Sequence, residues 1–276
     1  MSSNNFLTDE EIYKELIMPV DTNIQLESVI LSNANKEKIN TFITETKHRD
    51  KLLKYNLQPM NRLLFYGDSG CGKTYLGKAL ANHLNYKMLY VDIATSLSQG
   101  KVAINLTNIF RLANNIGEAI IFLDECDSIA WSRDAKDAEG GDVRRATNSL
   151  FQLLDQMNPK VIVICATNML HRLDPAFERR FNMKMQFKRP ETNLRTIINK
   201  FLHDDFVLVL DRTDDLLERR SKLSFYELQG VAERCMKKAV IKGTNRIFMS
   251  DVYMDMANAM NVKTAFHTDT DEFYKG

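Results

Sequence analysis

The sequence predicts an α/β protein with a parallel sheet, followed by a separate helical segment. Apolar runs of strand length recur along the chain, and segments with the spacing of amphipathic helices separate them. Two of these runs end in polar pairs, Asp124-Glu125 and Thr167-Asn168. A strand that is covered on both faces of a parallel sheet tolerates charge only where it emerges at its carboxyl end. After Pro190 the composition changes to helix formers and charged residues, which indicates a second, helical part.

The N-terminal part is predicted to contain two helical regions. Residues 1 to about 24 are polar and mixed, with a short helix predicted at Asp9–Met18 that Pro19 would stop. The sequence leaves open whether this extension is an arm that packs on the protein or a handle that recruits a partner. A helical pattern resumes from Glu27 to Lys54.

Four strands are predicted from the apolar runs, and helices are predicted between and after them. The strands lie at Arg62–Tyr66, Lys87–Ile93, Ala119–Glu125 and Val161–Ala166. The helices cover Tyr75–Leu84, Leu106–Ala113, about Asp142–Leu154, Leu173–Phe181, Asn193–His203, Ser224–Ile241 and Met249–Met260. We therefore divide the chain into an N-terminal extension (1–24), a large α/β domain (25–190) and a small helical domain with a C-terminal tail (191–276).

Composition excludes several classes of protein. Apolar residues make up 44% of the 276 residues and charged residues 26%, as in an ordinary globular protein. The net charge of +1 provides no global field that would attract nucleic acid or a membrane surface. The four cysteines form no C-x-x-C pair, so neither a disulfide framework nor a zinc site is indicated. With no signal segment or membrane span in view, we expect a cytoplasmic protein.

A phosphate-binding loop is predicted between the first strand and the helix that follows it. The segment Gly67–Thr74 matches G-x-x-x-x-G-K-[ST]. Glycines let the backbone N–H groups face one point, where the helix N-terminus adds partial positive charge. Lys73 would neutralise β- and γ-phosphate oxygens, and the Thr74 hydroxyl would bind Mg²⁺. We assign nucleotide binding to a continuous run of residues. They are Asp68, Ser69, Gly70, Cys71, Gly72, Lys73, Thr74 and Tyr75.

Three polar residues at strand ends are candidates for the chemistry. Asp124 fits the acid associated with Mg²⁺, so Thr74 and Asp124 form the predicted metal site. Glu125 points to the other side because strand side chains alternate, and it fits the general base that polarises the attacking water. Asn168 could hydrogen-bond that water or the γ-phosphate, or it could simply cap a turn.

On these motifs the chain resembles the AAA ATPases, a family within the AAA+ superfamily, over about residues 27–245. The matching segments are Ile121–Ala130, Arg133, Arg144-Arg145, Thr167-Asn168, Leu173–Ala176 and Arg179–Phe181. The resemblance implies the P-loop AAA+ fold, in which a five-stranded parallel sheet flanked by helices is followed by a small all-helical lid. It also implies hydrolysis of Mg-ATP to ADP and phosphate.

The same resemblance implies further roles at the site. Asn168 takes the position of the residue called sensor 1, and Lys73 and Glu125 complete the catalytic set. Arg179 and Arg180 look like arginine fingers, which are offered to the nucleotide of a neighbouring subunit. Fingers that act in trans require a homo-oligomeric ring, commonly a hexamer. The expected partner is a protein substrate that the ring remodels or unfolds, or a separately encoded protein.

Two segments depart from the family pattern and keep other functions open. Leu97–Gly100 has no aromatic residue where family unfoldases grip a polypeptide, so ATP could instead control an assembly switch without substrate threading. Ser224–Glu227 places two aromatic residues where small residues usually begin the lid motif. A motor or loader that acts on nucleic acid is the third possibility, and the near-neutral charge argues against it.

Overall fold

The computed structural model describes residues 7–93, 101–130, 141–190, 194–210 and 223–260. The chain divides into two compact units. We name the first the sheet unit; it contains Met1–Gly67 and Lys73–Phe187. We name the second the C-terminal unit; it contains Asp68–Gly72 and Lys188–Gly276. The phosphate-loop sequence therefore contributes residues to both units: Asp68–Gly72 belong to the C-terminal unit, and the flanking Gly67 and Lys73 belong to the sheet unit.

The sheet unit is built on five parallel strands in the order β2-β3-β4-β1-β5. The strands are β1 (Arg62–Gly67), β2 (Lys87–Asp92), β3 (Ala119–Asp124), β4 (Ile162–Thr167) and β5 (Met183–Phe187). The predicted α/β fold with a five-stranded parallel sheet is confirmed. The strand β5 corresponds to no apolar run, because exposed Gln186 and half-buried Lys184 alternate with its buried residues.

The strand register brings the polar strand ends together at one edge of the sheet. Asp92 at the end of β2 lies opposite Asp124 at the end of β3. Tyr66 near the end of β1 lies opposite Thr167 at the end of β4. Open α/β sheets bind ligands at the carboxyl ends of their strands, so this edge is where a site is expected.

Helices flank this sheet and bury apolar side chains in the core. They are α1 (Asp9–Leu16), α2 (Asn33–Lys47), α3 (Arg49–Lys54), α4 (Lys73–Leu84), α5 (Val102–Ile116), α6 (Gly141–Gln156) and α7 (Pro175–Glu178). Helix α4 packs very closely on the sheet: a Cβ atom added at Gly77 would lie 2.5 Å from Cε2 of Phe122. Only glycine fits at this contact without a shift of the strand or helix.

The N-terminal extension packs against the sheet unit. Helix α1 begins with a capping box between Thr8 and Glu11, and it buries Ile12 and Leu16 in the core that α5 also lines. Beyond the helix, the Met18 N–H donates to the Tyr90 carbonyl over 2.9 Å, which forms an antiparallel bridge to the outer strand β2. The described part of this extension is therefore a packing arm.

The C-terminal unit is mainly helical. It contains α8 (Leu194–Phe201), α9 (Phe225–Ile241) and a helix at 249–260, together with β6 (Val207–Val209) and β7 (Arg246–Phe248). The prediction of an all-helical lid is wrong in one respect, because β6 and β7 form a small parallel sheet. Strands of three residues carry too little pattern to be predicted from sequence. No helix in the described ranges is both long and apolar enough to cross a membrane.

An ion cluster ties two helices of the C-terminal unit together. The carboxylate of Asp255 is nearly buried and accepts from Arg234 Nε over 2.6 Å and from Lys238 Nζ over 2.9 Å. Burial opposes ionisation of Asp255, but the hydrogen bonds from Lys238 and Arg234 outweigh it and lower the pKa of the carboxyl. The cluster therefore stabilises the packing of the 249–260 helix against α9 when Asp255 is ionised.

Candidate active site

The phosphate-loop sequence leaves β1 at a position that requires glycine. Gly67 has a φ of +134°, and a Cβ atom there would lie 1.9 Å from the carbonyl oxygen of Phe187. The chain re-enters the sheet unit at Lys73, the first residue of α4. This turn from strand to helix has the order that the phosphate-loop motif predicts.

The contacts of Lys73 at the edge of the sheet include hydrogen bonds to the ends of two strands. Only 7% of the residue is exposed, and Nζ donates to the Gly67 carbonyl over 2.6 Å and to Asn168 Oδ1 over 2.7 Å. These contacts fix the ammonium group between the ends of β1 and β4. A buried ammonium group at this position is well suited to attract phosphate oxygens, because charge-assisted hydrogen bonds are strong where water is excluded.

The carboxylate of Asp124 accepts three hydrogen bonds. Its Oδ2 accepts from the Thr74 hydroxyl over 3.2 Å and from the Tyr90 hydroxyl over 2.7 Å. Its Oδ1 accepts from the backbone N–H of Glu125 over 3.0 Å. The structure thus brings the two predicted metal-binding residues together. It also adds Tyr90, which the motif analysis missed. Burial and Asp124 raise the pKa of Tyr90 well above its ordinary value, so its hydroxyl keeps its proton.

Glu125 follows β3 in an unusual backbone conformation. Its φ of 53° lies in the left-handed region, which residues other than glycine rarely adopt, and such positions often belong to functional sites. The residue is exposed. Partial burial raises the pKa of the Glu125 carboxyl, and the neighbouring carboxylates of Asp92, Asp124 and Asp127 raise it further. A carboxylate with increased proton affinity is a better general base than an ordinary one.

A hydrogen bond between the end of β4 and the turn that follows β3 supports Asn168. The Thr167 hydroxyl, nearly fully buried, donates to Asp127 over 2.6 Å and accepts from the Met169 N–H over 2.9 Å. Asp127 lies in the short turn that follows β3, two residues after Glu125. The end of β4 is therefore tied to the turn that carries Glu125, while Asn168 itself is exposed and contacts Lys73.

The loop residues Asp68–Gly72 have contacts within the C-terminal unit. Asp68 Oδ2 accepts from Arg189 Nε over 2.8 Å, and the Gly70 carbonyl accepts from the Tyr226 N–H over 3.2 Å. Gly70 and Gly72 have positive φ angles of 71° and 94°. These conformations are readily adopted by glycine and let a loop direct successive N–H groups inward.

The other predicted loop residues differ in their exposure. Ser69 is exposed and Cys71 is buried, with only 4% of the residue accessible. Tyr75, in the first turn of α4, is 44% exposed, and its hydroxyl lies 3.0 Å from Ser28 Oγ in a short 3₁₀ turn at Leu26–Ser28. The aromatic pair at the start of α9 includes Tyr226, whose side chain is exposed.

The two predicted finger residues have different surroundings. Arg179 is exposed, and its Nε donates to the Pro175 carbonyl over 3.3 Å. Arg180 lies 4.2 Å above the ring of Phe151 and pairs with Asp155 over 3.3 Å. Neither arginine has a hydrogen bond or ion pair with Lys73, Asp124, Glu125 or Asn168 within the described part of the chain. Within the described part of this chain, the site is assembled without them.

The donor set fits a magnesium–nucleotide complex. Thr74 Oγ1 and Asp124 Oδ2 are two hard oxygen atoms 3.2 Å apart. Magnesium usually binds one or two protein oxygens and completes its shell with water and phosphate oxygens. Among the described residues no group of three or more His, Cys, Asp or Glu side chains could hold a metal ion by itself. The site therefore suits a metal that arrives with a phosphate-bearing ligand.

The site combines the turn from β1 into α4, a buried lysine and an acid at the end of β3. This is the arrangement of a P-loop protein, a class that binds nucleoside triphosphates. Residues 63–189 match the family described as "ATPase family associated with various cellular activities (AAA)". The chain belongs to the AAA family and contains an AAA ATPase domain.

Two curated relatives are similar over most of the chain. An uncharacterised AAA family ATPase of Sinorhizobium fredii, y4kL, is 30% identical over 223 residues, which cover 79% of this chain and 66% of the relative. The 26S proteasome regulatory subunit 6B homologue of Dictyostelium discoideum is 32% identical over 217 residues, 74% of this chain and 53% of the relative. The matches thus span just under two thirds and about half of the relatives' lengths.

Two predicted features lie outside the described residues. The segment Leu97–Gly100, where family unfoldases carry an aromatic residue, is one of them, and Arg133 is the other. The prediction that this chain lacks a gripping aromatic residue at Leu97–Gly100 rests on the sequence alone.

Proposed function

We propose that the chain hydrolyses Mg-ATP as one protomer of a homo-oligomeric ring, a hexamer, and uses the cycle to remodel a protein partner. The observation that supports this proposal is that the predicted site residues come together without the predicted finger. One edge of the sheet holds Lys73, Thr74, Asp124, Glu125 and Asn168. The exposed Arg179 contacts none of them within the described residues.

The residues at the sheet edge divide the work of hydrolysis. Lys73 binds β- and γ-phosphate oxygens, and Thr74 and Asp124 hold magnesium, which neutralises negative charge on the phosphates. Glu125 takes a proton from the attacking water, a role that its increased proton affinity favours. Asn168, fixed beside Lys73, orients that water or the γ-phosphate.

We infer a ring because Arg179, the predicted finger, does not contact the site residues within the described part of the chain. An arginine finger stabilises the charge of the transferring phosphoryl group and is worth a factor of about 10³ or more in rate. Arg179 is exposed at the end of α7 and is available to a neighbouring protomer. The similarity to a 26S proteasome regulatory subunit homologue supports a protein as the partner.

Mixing two inactive variants tests hydrolysis and the ring together. Glu125→Gln removes the base and keeps Arg179, whereas Arg179→Ala removes the finger and keeps the base. Each variant alone should hydrolyse ATP at least about 10²-fold more slowly than the wild type. In a mixed ring, some sites combine Glu125 of one protomer with Arg179 of its neighbour, so part of the activity should return. No recovery in mixed rings that light scattering shows to have formed would contradict a finger acting in trans.

An assembly switch is the second candidate, and one observation favours it. Leu97–Gly100 offers no aromatic residue where unfoldases grip their substrate. In this case ATP binding would set the assembly state and hydrolysis would reset it. ATP-dependent unfolding of a tagged protein by the wild type would reject the switch, whereas nucleotide-dependent assembly without unfolding would support it.

A further inference from the structure

Tyr90 lies beside the predicted metal-binding acid, although no motif includes it. Its hydroxyl donates to Oδ2 of Asp124 over 2.7 Å, which is shorter than the 3.2 Å bond from Thr74 to the same oxygen. The other carboxylate oxygen accepts from the backbone N–H of Glu125. Donors on both oxygens fix the plane of the carboxylate, which would otherwise rotate about its last side-chain bond.

A ring contact and a backbone hydrogen bond hold Tyr90 in place. Its ring stacks on that of Phe122, with centroids 5.6 Å apart and planes inclined by 16°. The ring of Phe122, on the neighbouring strand β3, is fully buried and packs closely against Gly77 of α4. The carbonyl of Tyr90 accepts from Met18 in the N-terminal arm. These contacts restrain the Tyr90 side chain, so its hydroxyl is held in position beside Asp124.

We propose that Tyr90 is a positioning residue that orients Asp124 toward the magnesium ion of bound Mg-ATP. This inference rests on the proposed function, because it assigns Asp124 to that ion. Hydrogen bonds to a ligating carboxylate fix its orientation, and the loss of such a partner commonly costs a factor of about 10 to 100 in metal affinity or activity. Because Tyr90 acts through Asp124, its loss should weaken nucleotide binding only when Mg²⁺ is present.

The test is a calorimetric titration of a nonhydrolysable ATP analogue at increasing Mg²⁺ concentration. Tyr90→Phe removes the hydroxyl and keeps the stacking on Phe122. Tyr86→Phe is the matched control, because it also removes one hydroxyl bond, the 2.7 Å bond from Arg49, and leaves Asp124 untouched. In Tyr90→Phe the Mg²⁺ concentration for half-maximal enhancement of binding should rise about tenfold or more, whereas binding in EDTA should not change. Tyr86→Phe should match the wild type in both.

A double-mutant cycle separates positioning from a general structural role. In the Asp124→Asn background, Tyr90→Phe should cause no further change in the Mg²⁺ dependence, because the residue through which it acts is already altered. An unchanged Mg²⁺ dependence in Tyr90→Phe alone would overturn the inference. So would an equal loss of affinity in EDTA, or additive effects in the cycle. If the wild-type chain bound no nucleotide with Mg²⁺, the proposed function itself would fail, a result distinct from these.

Discussion

The Nζ atom of Lys73 donates to Oδ1 of Asn168 over 2.7 Å, so the phosphate-binding lysine and the residue at the end of β4 are direct neighbours. This contact joins two chain segments that are 95 residues apart in sequence. A substitution at Asn168 therefore changes the immediate surroundings of the Lys73 ammonium group.

Replacing Asn168 should separate catalysis from binding. Asn168→Ala removes a hydrogen-bonding group beside the reacting phosphate and should lower kcat by about 10², as losses of single polar groups in catalytic sites do. Asn168→Asp places a negative charge next to Lys73, which would compete with phosphate and should weaken ATP-analogue binding by about tenfold or more. Steady-state kinetics and calorimetry measure the two effects. Equal affinity in the Asp and Ala variants would contradict this account of Lys73.

The two neighbouring arginines should differ when they are replaced. Arg179 is exposed, so Arg179→Ala should lower the ATPase rate by about 10³ with little change in melting temperature. Arg180 contacts Phe151 and pairs with Asp155, so Arg180→Ala should lower the stability by about 1 kcal/mol. Melting curves measured beside ATPase rates provide the comparison. A loss of stability only in Arg179→Ala would reverse the assignment.

Adding one methyl group at Gly77 should destabilise the sheet unit. Alanine usually stabilises a helix relative to glycine, but here the new Cβ would lie 2.5 Å from the Phe122 ring, and such overpacking costs about 1–3 kcal/mol. Gly230→Ala in α9 is the control, because its Cβ would approach only Nη1 of Arg234, at 3.2 Å, whereas Arg234 binds Asp255 through Nε. Chemical denaturation should show a lower free energy of unfolding for Gly77→Ala than for the wild type, and no such loss for Gly230→Ala. Stabilisation by Gly77→Ala would disprove the tight packing of α4.

The Asp255 cluster should make the C-terminal unit sensitive to acid. The pKa of Asp255 is lower in the folded protein than in the unfolded chain, so its stabilising effect is present above the unfolded pKa. That effect is lost as the pH falls through the folded pKa. Asp255→Asn should therefore cost about 2 kcal/mol at neutral pH, the value typical of hydrogen bonds to charged groups, and progressively less in acid.

The control for this pH dependence is Asp251→Asn. It removes a carboxylate from the same helix and keeps both ion pairs of Asp255. The melting temperature of each variant, followed from neutral to acidic pH, gives the comparison. A stability difference between wild type and Asp255→Asn that stayed constant across this range would show that ionisation of Asp255 does not matter.

The central strands and the loop could be predicted because their local sequence determines them. The buried run that ends in Asp124 is apolar without interruption, and Gly67–Thr74 is a complete motif, so each can be identified without knowledge of distant residues. The predicted strands agree with β1 to β4 to within one residue at each end. The small strands β6 and β7 could not be found in this way, because pairing with a distant segment creates them.

The neighbours of the site were harder to predict than its motif residues. Tyr90 reaches Asp124 only because β2 pairs with β3 in a register that sets Asp92 opposite Asp124. That register depends on strand pairing, which a single sequence does not specify. The different surroundings of Arg179 and Arg180 also depend on distant partners, since Asp155 and Phe151 lie on α6.

The bridge between Met18 and Tyr90 has a consequence for shortened versions of this chain. β2 is an outer strand of the sheet, and the arm covers part of its free edge as well as the apolar surface under Ile12 and Leu16. A truncation that began at α2 would uncover both. Exposed strand edges pair readily with other chains, so such a fragment is expected to aggregate, and its self-association would be easily mistaken for ring formation.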